Sequence, residues 1–327
     1  MHRRLKDPRF TYGSLGLVAL SVFLLYAMAL GGGEGRRLDP AALVRQGDIR
    51  IPWIVRAPQT VVTAQGAAMS AISIHGLEEY FRRVDYRLSG VRRGEQAVPR
   101  IFVDRIPPDL AMLRSPRERK HAFVKMMLPL VLAANERILA ERQRLIALRG
   151  RSGALDPGAR AWLERMSARY GLEAPDIEAL LRRVDAVPPS LALAQAAEES
   201  GWGTSRFVRE GNAVFGQRTF AAGAGLVPRR RENGETHEVR SFGRLLDSVA
   251  SYMTNLNSHY AYGEFRRVRE EQRRKLNFLD GYALAPTLNG YSERGEDYTR
   301  RLRSIIRSNG LRALDRARFR DDRDSAI

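Results

Sequence analysis

Apolar residues recur at helical spacing along most of this chain, which predicts a protein built mainly of helices. The longest stretch covers residues 116–149 and contains Pro129, where we expect a kink or a break. Shorter helices are predicted at residues 75–88, 159–170, 175–184, 242–256, 262–274 and 293–308. Two short apolar runs, at residues 51–55 and 100–103, are consistent with strands.

The helical pattern is interrupted at residues 220–242. Asn233-Gly234 is a strong signal for a two-residue hairpin turn, and it predicts strands at residues 226–231 and 236–242. The fold class that follows is α+β, mainly α, with one small β-hairpin lobe.

A short helix that begins at Pro188 and ends at Gly201 or Gly203 has an unusual distribution of polar residues. It is almost entirely apolar until its last turn, which carries Glu198 and Glu199 directly before a Ser-Gly-Trp-Gly turn. The negative end of the helix dipole and the apolar surroundings both disfavour a charged carboxylate. An acid that stays protonated near neutral pH can protonate a leaving group. Helical phase does not choose between the two glutamates, because adjacent residues point about 100° apart.

The segment from Gln195 to Phe207 resembles the active-site helix of the Bax-like glucosaminidases, which are peptidoglycan hydrolases of the lysozyme-like superfamily. Its Glu-Ser-Gly-Trp-Gly core is also similar to that of flagellar peptidoglycan hydrolases. Further similar segments lie at residues 99–103, 128–136, 252–257 and 291–298. The resemblance implies a lysozyme-like domain with a cleft between a helical lobe and a small β lobe, and it implies that Glu199 is the general acid.

The chain departs from the family pattern shortly after this motif. The family usually has Asn-x-Phe-Gly at this place, whereas here the sequence is Ala213-Val214-Phe215-Gly216. The asparagine, Asn212, lies one position earlier than in the family pattern. The departure concerns the amide that would hold this loop, and it does not affect the acid.

Hydrolysis of a glycosidic bond usually needs a second carboxylate, which the hairpin can supply. Its candidates are Glu232, Glu235 and Glu238, of which Glu238 is preferred because it alternates onto the same strand face as Phe242. Substrate assistance by an N-acetyl group is an alternative that needs no second acid. Trp202 is expected either to pack against the acid and keep it dry or to form a wall on which a sugar stacks. Phe215 is a further candidate for substrate contact, and the resemblance implies such contacts for Tyr252, Tyr262 and Tyr291.

The net charge of +18 is carried mainly by arginine and implies attraction to polyanions. We see no helix-turn-helix, zinc or RNA-binding motif, so nucleic acid is not an expected partner. The chain has no cysteine, which excludes disulfides and cysteine-based metal sites. Because its five histidines are scattered and it has no phosphate-binding loop, we expect neither a metal nor a cofactor.

Residues 12–30 carry no charge and follow a basic segment, residues 1–11. Their length is about that of a membrane-spanning helix, which predicts a single-pass inner-membrane protein with a periplasmic catalytic domain. The alternative is secretion to the periplasm after signal cleavage at Ala27-Met28-Ala29. The rest of the chain is predicted to comprise a linker and small extension of unknown role, a glucosaminidase domain and a disordered charged tail, at residues 31–97, 98–311 and 312–327.

These expectations combine into one principal hypothesis and two alternatives. The principal hypothesis is an endo-β-N-acetylglucosaminidase whose partner is the glycan strand of peptidoglycan. The first alternative is a lytic transglycosylase on the same fold, which needs only one acid. The second is a wall-binding scaffold without catalytic activity.

Overall fold

The computed structural model describes residues 73–151, 154–229, 235–276 and 278–320, and one long helix, α3 (Pro116–Arg149), lies at the centre of its core. All residues from 122 to 135 are buried, so this part of α3 is enclosed on every side. The helix continues through Pro129 without the break that the sequence led us to consider, because packing on every side holds the turns that flank the proline.

The other helices surround α3. They are α1 (Ile74–Arg83), α2 (Leu88–Arg93), α4 (Pro157–Arg169), α5 (Ile177–Arg183), α6 (Pro189–Ser200), α7 (Arg206–Gly211), α8 (Leu245–Ser258), α9 (Gly263–Lys275), α10 (Gly281–Leu284) and α11 (Glu296–Ser308). Short 3-10 helices occupy Pro108–Met112, Tyr260–Tyr262, Ala285–Tyr291 and Arg312–Arg316. The helix predicted at residues 75–88 is two helices, divided where Asp85 adopts a positive φ of 53°.

A small antiparallel sheet interrupts the helices. Its strands are β1 (Arg218–Thr219), β2 (Gly225–Leu226) and β3 (Glu238–Arg240), in the order β1-β3-β2. The β2–β3 pair follows the predicted hairpin but is shorter, and β1 was not predicted; the turn at Asn233-Gly234 lies outside the described residues. The fold class, α+β and mainly α, is confirmed.

Segments that the sequence assigned to an extension and a tail are part of the core. Leu77 and Phe81 of α1 are buried in the same hydrophobic cluster as the central helices. Phe319 is also buried there, and Val98 pairs with the chain beside it: the Val98 N–H donates to the Arg318 carbonyl over 2.8 Å. The prediction of a disordered tail from Arg312 is therefore wrong for residues 312–320. The predicted strand at residues 100–103 is absent, since only the neighbouring Val98 forms a bridge.

Among the described residues, no helix is both long enough and apolar enough to cross a membrane. The predicted spanning segment at residues 12–30, the basic segment before it and the strand at residues 51–55 lie outside the described residues.

Candidate active site

Helix α6 is the best-defined part of the site because both of its ends are fixed. At its start, the backbone N–H and the hydroxyl of Ser190 donate to the Asp315 carboxylate over 2.7 and 2.8 Å. At its end, Gly201 adopts a left-handed conformation with φ of 58°, as predicted for a terminating glycine. The next turn is closed by the Gly203 N–H, which donates to the Ser200 hydroxyl over 2.8 Å. The last turn of α6 therefore holds its two glutamates in fixed positions.

The surroundings of these glutamates separate the two residues. Glu198 forms ion pairs with Arg294 at 3.0 Å and with Arg301 at 3.2 Å. Within the described part of the chain, Glu199 has no ion pair. It lies one helical turn after Gln195, on the same face of α6. Glu198 is thus paired with two arginines, whereas Glu199 is hydrogen-bonded to the uncharged side chain of Tyr298.

A chain of hydrogen bonds leads to Glu199 through the protein interior. The Tyr252 hydroxyl donates to Gln195 Oε1 over 2.6 Å, and Gln195 Nε2 donates to the Tyr298 hydroxyl oxygen over 2.9 Å. Because the Tyr298 oxygen accepts from Gln195, its own proton is directed to the Glu199 carboxylate, to which it is hydrogen-bonded. Gln195, Tyr252 and Tyr298 are fully buried, so this chain holds the carboxylate in one place.

Burial raises the pKa of Glu199 above its ordinary value, and the negative charge of Glu198 raises it further. The Tyr298 hydrogen bond and the charge of Arg294 oppose this rise without cancelling it. A carboxyl group in this setting retains its proton to a higher pH than an ordinary glutamate, which is the property required of a general acid.

Glu199 opens into a cleft of about 720 Å³ whose walls come from segments that are far apart in the sequence. One wall is formed by the loop at residues 215–217 and the start of β1, and the other by residues 290–294, with Asn255 and Tyr262 between them. Four of the predicted site residues are brought together here, namely Glu199, Phe215, Tyr262 and Tyr291.

Stacked aromatic rings support the cleft walls. The rings of Phe215 and Tyr252 are parallel with centroids 3.8 Å apart, and those of Tyr291 and Tyr298 are parallel at 5.5 Å. Tyr252 was predicted to contact substrate, but it is fully buried beneath Phe215 and does not line the cleft. Its contribution is to hold Gln195 in position.

Two other predicted residues lie outside the cleft lining. Trp202 packs edge-on against Phe123 with ring centroids 5.9 Å apart, and the Lys120 ammonium lies 5.0 Å from its ring. Glu238 accepts hydrogen bonds from the backbone N–H groups of Gly223 at 3.1 Å and Gly225 at 2.8 Å. Both oxygens of Glu238 therefore hold the connection between β1 and β2, and this use explains why the carboxylate does not face the cleft.

The displaced asparagine still holds the loop before Phe215. Asn212 has a positive φ of 52°, and its Nδ2 donates to the carbonyls of Phe242 and Gly243, both at 3.1 Å. The loop is also held by the Val214 N–H, which donates to the Ser248 hydroxyl over 3.2 Å. A side-chain amide therefore fixes this wall of the cleft although it lies one position early in the sequence.

Sequence reasoning did not single out several residues of the site. The cleft lining includes Arg218, Asn255, Glu293 and Arg294. Tyr298 does not line the cleft but is hydrogen-bonded to the Glu199 carboxylate. Gln195 and Tyr298 lie within segments that resemble the family, and this resemblance was the only indication in the sequence that they belong to the site. No such signal existed for Arg218, because its place in the cleft depends on the unpredicted strand β1.

Comparisons with known proteins show which family the chain is similar to. Residues 174–311 match the family model for Glucosaminidase, described as mannosyl-glycoprotein endo-beta-N-acetylglucosaminidase. The chain is 33% identical over 208 residues to Protein bax of Escherichia coli (strain K12), an alignment that covers 62% of this chain and 74% of that protein. No solved structure matches the chain.

Proposed function

This chain belongs to the Bax-like glucosaminidase family, and from that premise we propose that it hydrolyses the glycan strands of peptidoglycan. Its glucosaminidase domain makes it a glycosidase-type enzyme. The specific activity that we propose is that of an endo-β-N-acetylglucosaminidase, which cuts the β-1,4 bond after N-acetylglucosamine. The observation that carries the proposal is the raised pKa of Glu199 inside a cleft with aromatic walls.

In the proposed mechanism, Glu199 donates its proton to the glycosidic oxygen as the bond to the anomeric carbon breaks. The buried chain of Tyr252, Gln195 and Tyr298 keeps the carboxyl group oriented toward the cleft. Tyr262 and Tyr291 lie at the cleft surface, where their rings offer apolar faces to a sugar.

The second step of hydrolysis requires a group that attacks or activates water. Glu293 is the other carboxylate in the cleft lining, and it is exposed and without an ion pair among the described residues. We propose it as the candidate for this step in place of Glu238, whose oxygens are occupied by backbone N–H groups. Attack by the N-acetyl group of the substrate is the alternative route.

A lytic transglycosylase is the second candidate function, and one observation favours it. Of the two acids that line the cleft, only Glu199 is partly buried, which is sufficient for a reaction that needs one acid. The products distinguish the candidates: reducing N-acetylglucosamine ends support hydrolysis, and anhydromuramic ends support the transglycosylase. Mass spectrometry of digested sacculi measures both.

The central test compares Glu199→Gln with Glu198→Gln in the digestion of purified sacculi. Loss of a general acid costs about 10²- to 10⁴-fold in rate, so we expect that loss for Glu199→Gln. Glu198→Gln removes the adjacent charge but not the acid, and it should keep activity within about tenfold. Equal digestion by Glu199→Gln and an active wild type would refute the mechanism, whereas a wild type that digests no sacculi would support a non-catalytic wall-binding role.

We also propose that residues 12–30 anchor the protein in the inner membrane with the catalytic domain in the periplasm. Fractionation of cells that produce the full chain tests this proposal. Recovery in the membrane fraction at full length supports the anchor, whereas a shortened periplasmic form supports signal cleavage.

A further inference from the structure

The cleft contains a cation that the residues described by the structure do not neutralise. Four charged residues line the cleft: Glu199, Arg218, Glu293 and Arg294. Arg294 is paired with Glu198. Arg218 is exposed, and its side chain has neither a hydrogen bond nor an ion pair anywhere in the described residues. The guanidinium of Arg218 is therefore available to a ligand in the cleft.

The backbone of Arg218 is held in place, although its side chain has no partner in the part of the chain that the structure describes. It lies in β1 opposite Val239, and the Arg240 N–H donates to the neighbouring Gln217 carbonyl over 2.8 Å. The side-chain oxygen of Gln217 is buried and has no hydrogen-bond partner. A buried acceptor without a partner costs about 1–3 kcal/mol, and most such atoms in proteins are hydrogen-bonded to protein or to ordered water. This wall thus presents two adjacent polar groups that the described residues leave unsatisfied.

We infer that Arg218 binds a carboxylate of the glycan substrate and makes carboxylate-bearing strands preferred over neutral ones. The inference rests on the proposed function and adds a substrate class to it. A planar guanidinium pairs with a carboxylate through two parallel hydrogen bonds, which gives geometric selectivity as well as charge. Two groups of peptidoglycan supply this chemistry: the carboxylates of the stem peptide, and the lactyl carboxylate that is free once the peptide has been removed.

The net charge of +18 attracts any polyanion, and this general effect has to be separated from a local contact. Arg160 provides the matched control. It is an exposed arginine on α4, without a side-chain partner among the described residues, and α4 contributes nothing to the cleft. Arg160→Ala removes the same charge as Arg218→Ala but leaves the cleft unchanged.

The experiment measures kcat and KM of the full chain for the wild type, Arg218→Ala, Arg218→Lys and Arg160→Ala. Three substrates are compared: native glycan strands, strands freed of stem peptides by an amidase, and native strands whose carboxylates have been converted to amides. For Arg218→Ala on native strands we expect KM to rise about three- to tenfold, the range of an accessible charge-assisted pair, with little change in kcat. Arg218→Lys should restore part of the loss, and Arg160→Ala should match the wild type.

On amidated strands, the wild type and Arg218→Ala should have equal KM values. A KM effect on native strands alone identifies the stem-peptide carboxylate, and an effect that extends to peptide-free strands identifies the lactyl carboxylate as a ligand as well. Equal KM values for wild type and Arg218→Ala on both carboxylate-bearing substrates overturn the inference, as does an equal loss on amidated strands. In either case an active wild type leaves the proposed function intact, whereas a wild type that digests no sacculi refutes the proposed function itself.

Discussion

Among single residues, Tyr298 has the most direct influence on the acid, because its hydroxyl hydrogen-bonds the Glu199 carboxylate. This bond favours the charged form and so lowers a pKa that burial raises. In Tyr298→Phe the lowering contribution is removed, and the pKa of Glu199 should rise further. A general acid loses activity as the pH rises through its pKa, so the alkaline limb of the kcat profile should move to higher pH.

A pH profile of sacculus digestion checks this expectation. The activity of Tyr298→Phe at its optimum should remain above that of Glu199→Gln, because the acid itself is retained. A profile that keeps its shape while kcat falls would show that Tyr298 is purely structural. Tyr282→Phe is the matched control, since Tyr282 packs against the core but does not line the cleft.

The raised pKa of Glu199 also predicts a stability effect. Because the folded state binds this proton more tightly than the unfolded chain, its stabilising contribution is complete at acidic pH and is lost as the pH rises through the folded-state pKa. Glu199→Gln removes the titration, so its Tm should exceed that of the wild type at neutral pH. The difference should vanish at a pH below the ordinary pKa of glutamate. Equal Tm values at both pH extremes would contradict the raised pKa.

The residue scale shows what the sequence could and could not determine about the acid. The apolar helix and its glycine end predicted a perturbed carboxyl group, but helical phase left Glu198 and Glu199 equivalent. The difference between them comes from Arg294, Arg301 and Tyr298, which lie about a hundred residues further along the chain. Without the family resemblance, only the tertiary structure could assign the role.

At the scale of structural elements, the Glu238 side chain holds the connection between the strands of the small sheet. Both Glu238 oxygens accept backbone N–H groups from the connection that leads into β2. In Glu238→Gln one acceptor oxygen remains, so activity should stay within about tenfold of the wild type. In Glu238→Ala both hydrogen bonds are lost, at about 1 kcal/mol each, and the loop should open to proteolysis. Digestion rates of sacculi and limited trypsinolysis measure the two effects.

The outcome for Glu238 separates a structural role from the catalytic role that the sequence suggested. A catalytic base loses function with Gln as much as with Ala, because neither side chain accepts a proton. Loss of about 10²-fold or more in Glu238→Gln would therefore restore Glu238 as the second carboxylate and remove Glu293 from that role.

The success of prediction differed between helices and strands for a physical reason. Helices α4, α5, α6, α8, α9 and α11 were predicted to within three residues at either end, because each carries its own apolar period and end signals. The strands are two or three residues long, too short to show alternation. The strands pair closely, because a Cβ on Gly225 would clash with the Val239 carbonyl oxygen. No single-sequence pattern reports that close approach.

At the scale of the whole molecule, a hydrophobic core within the described residues joins segments that are far apart in the sequence. Phe81 of α1, the central helix α3, the acid-bearing helix α6 and Phe319 all belong to it. The sequence analysis placed domain limits at residues 98 and 311 because the family resemblance extends over about residues 98–310 and a charged run follows it. Phe81 and Phe319 lie outside those limits, and only their long-range partners show that they are core.

This continuity predicts that a change in α1 destabilises the whole domain. Phe81 is fully buried, with its ring 5.4 Å from that of Tyr86 and 4.6 Å from the Lys125 ammonium on α3. Phe81→Ala should lower the free energy of unfolding by about 3–5 kcal/mol, the usual cost of truncating a buried phenylalanine. Phe220→Ala, which truncates a ring that is 78% exposed, should change it by less than about 0.5 kcal/mol.

Urea unfolding followed by two signals, one local and one global, shows whether α1 and the catalytic helix unfold in the same transition. Replacing Trp53 and Trp162 by Phe leaves Trp202 as the single tryptophan, at the end of α6 and against Phe123 of α3. Because α1 and α6 share one core, Phe81→Ala should shift the Trp202 fluorescence transition and the far-ultraviolet circular dichroism transition together. If residues 74–97 were instead an independent layer, the Trp202 midpoint would stay at its wild-type value while a separate early transition appeared. That result would restore the domain limit at residue 98 and would mean that the site folds without α1.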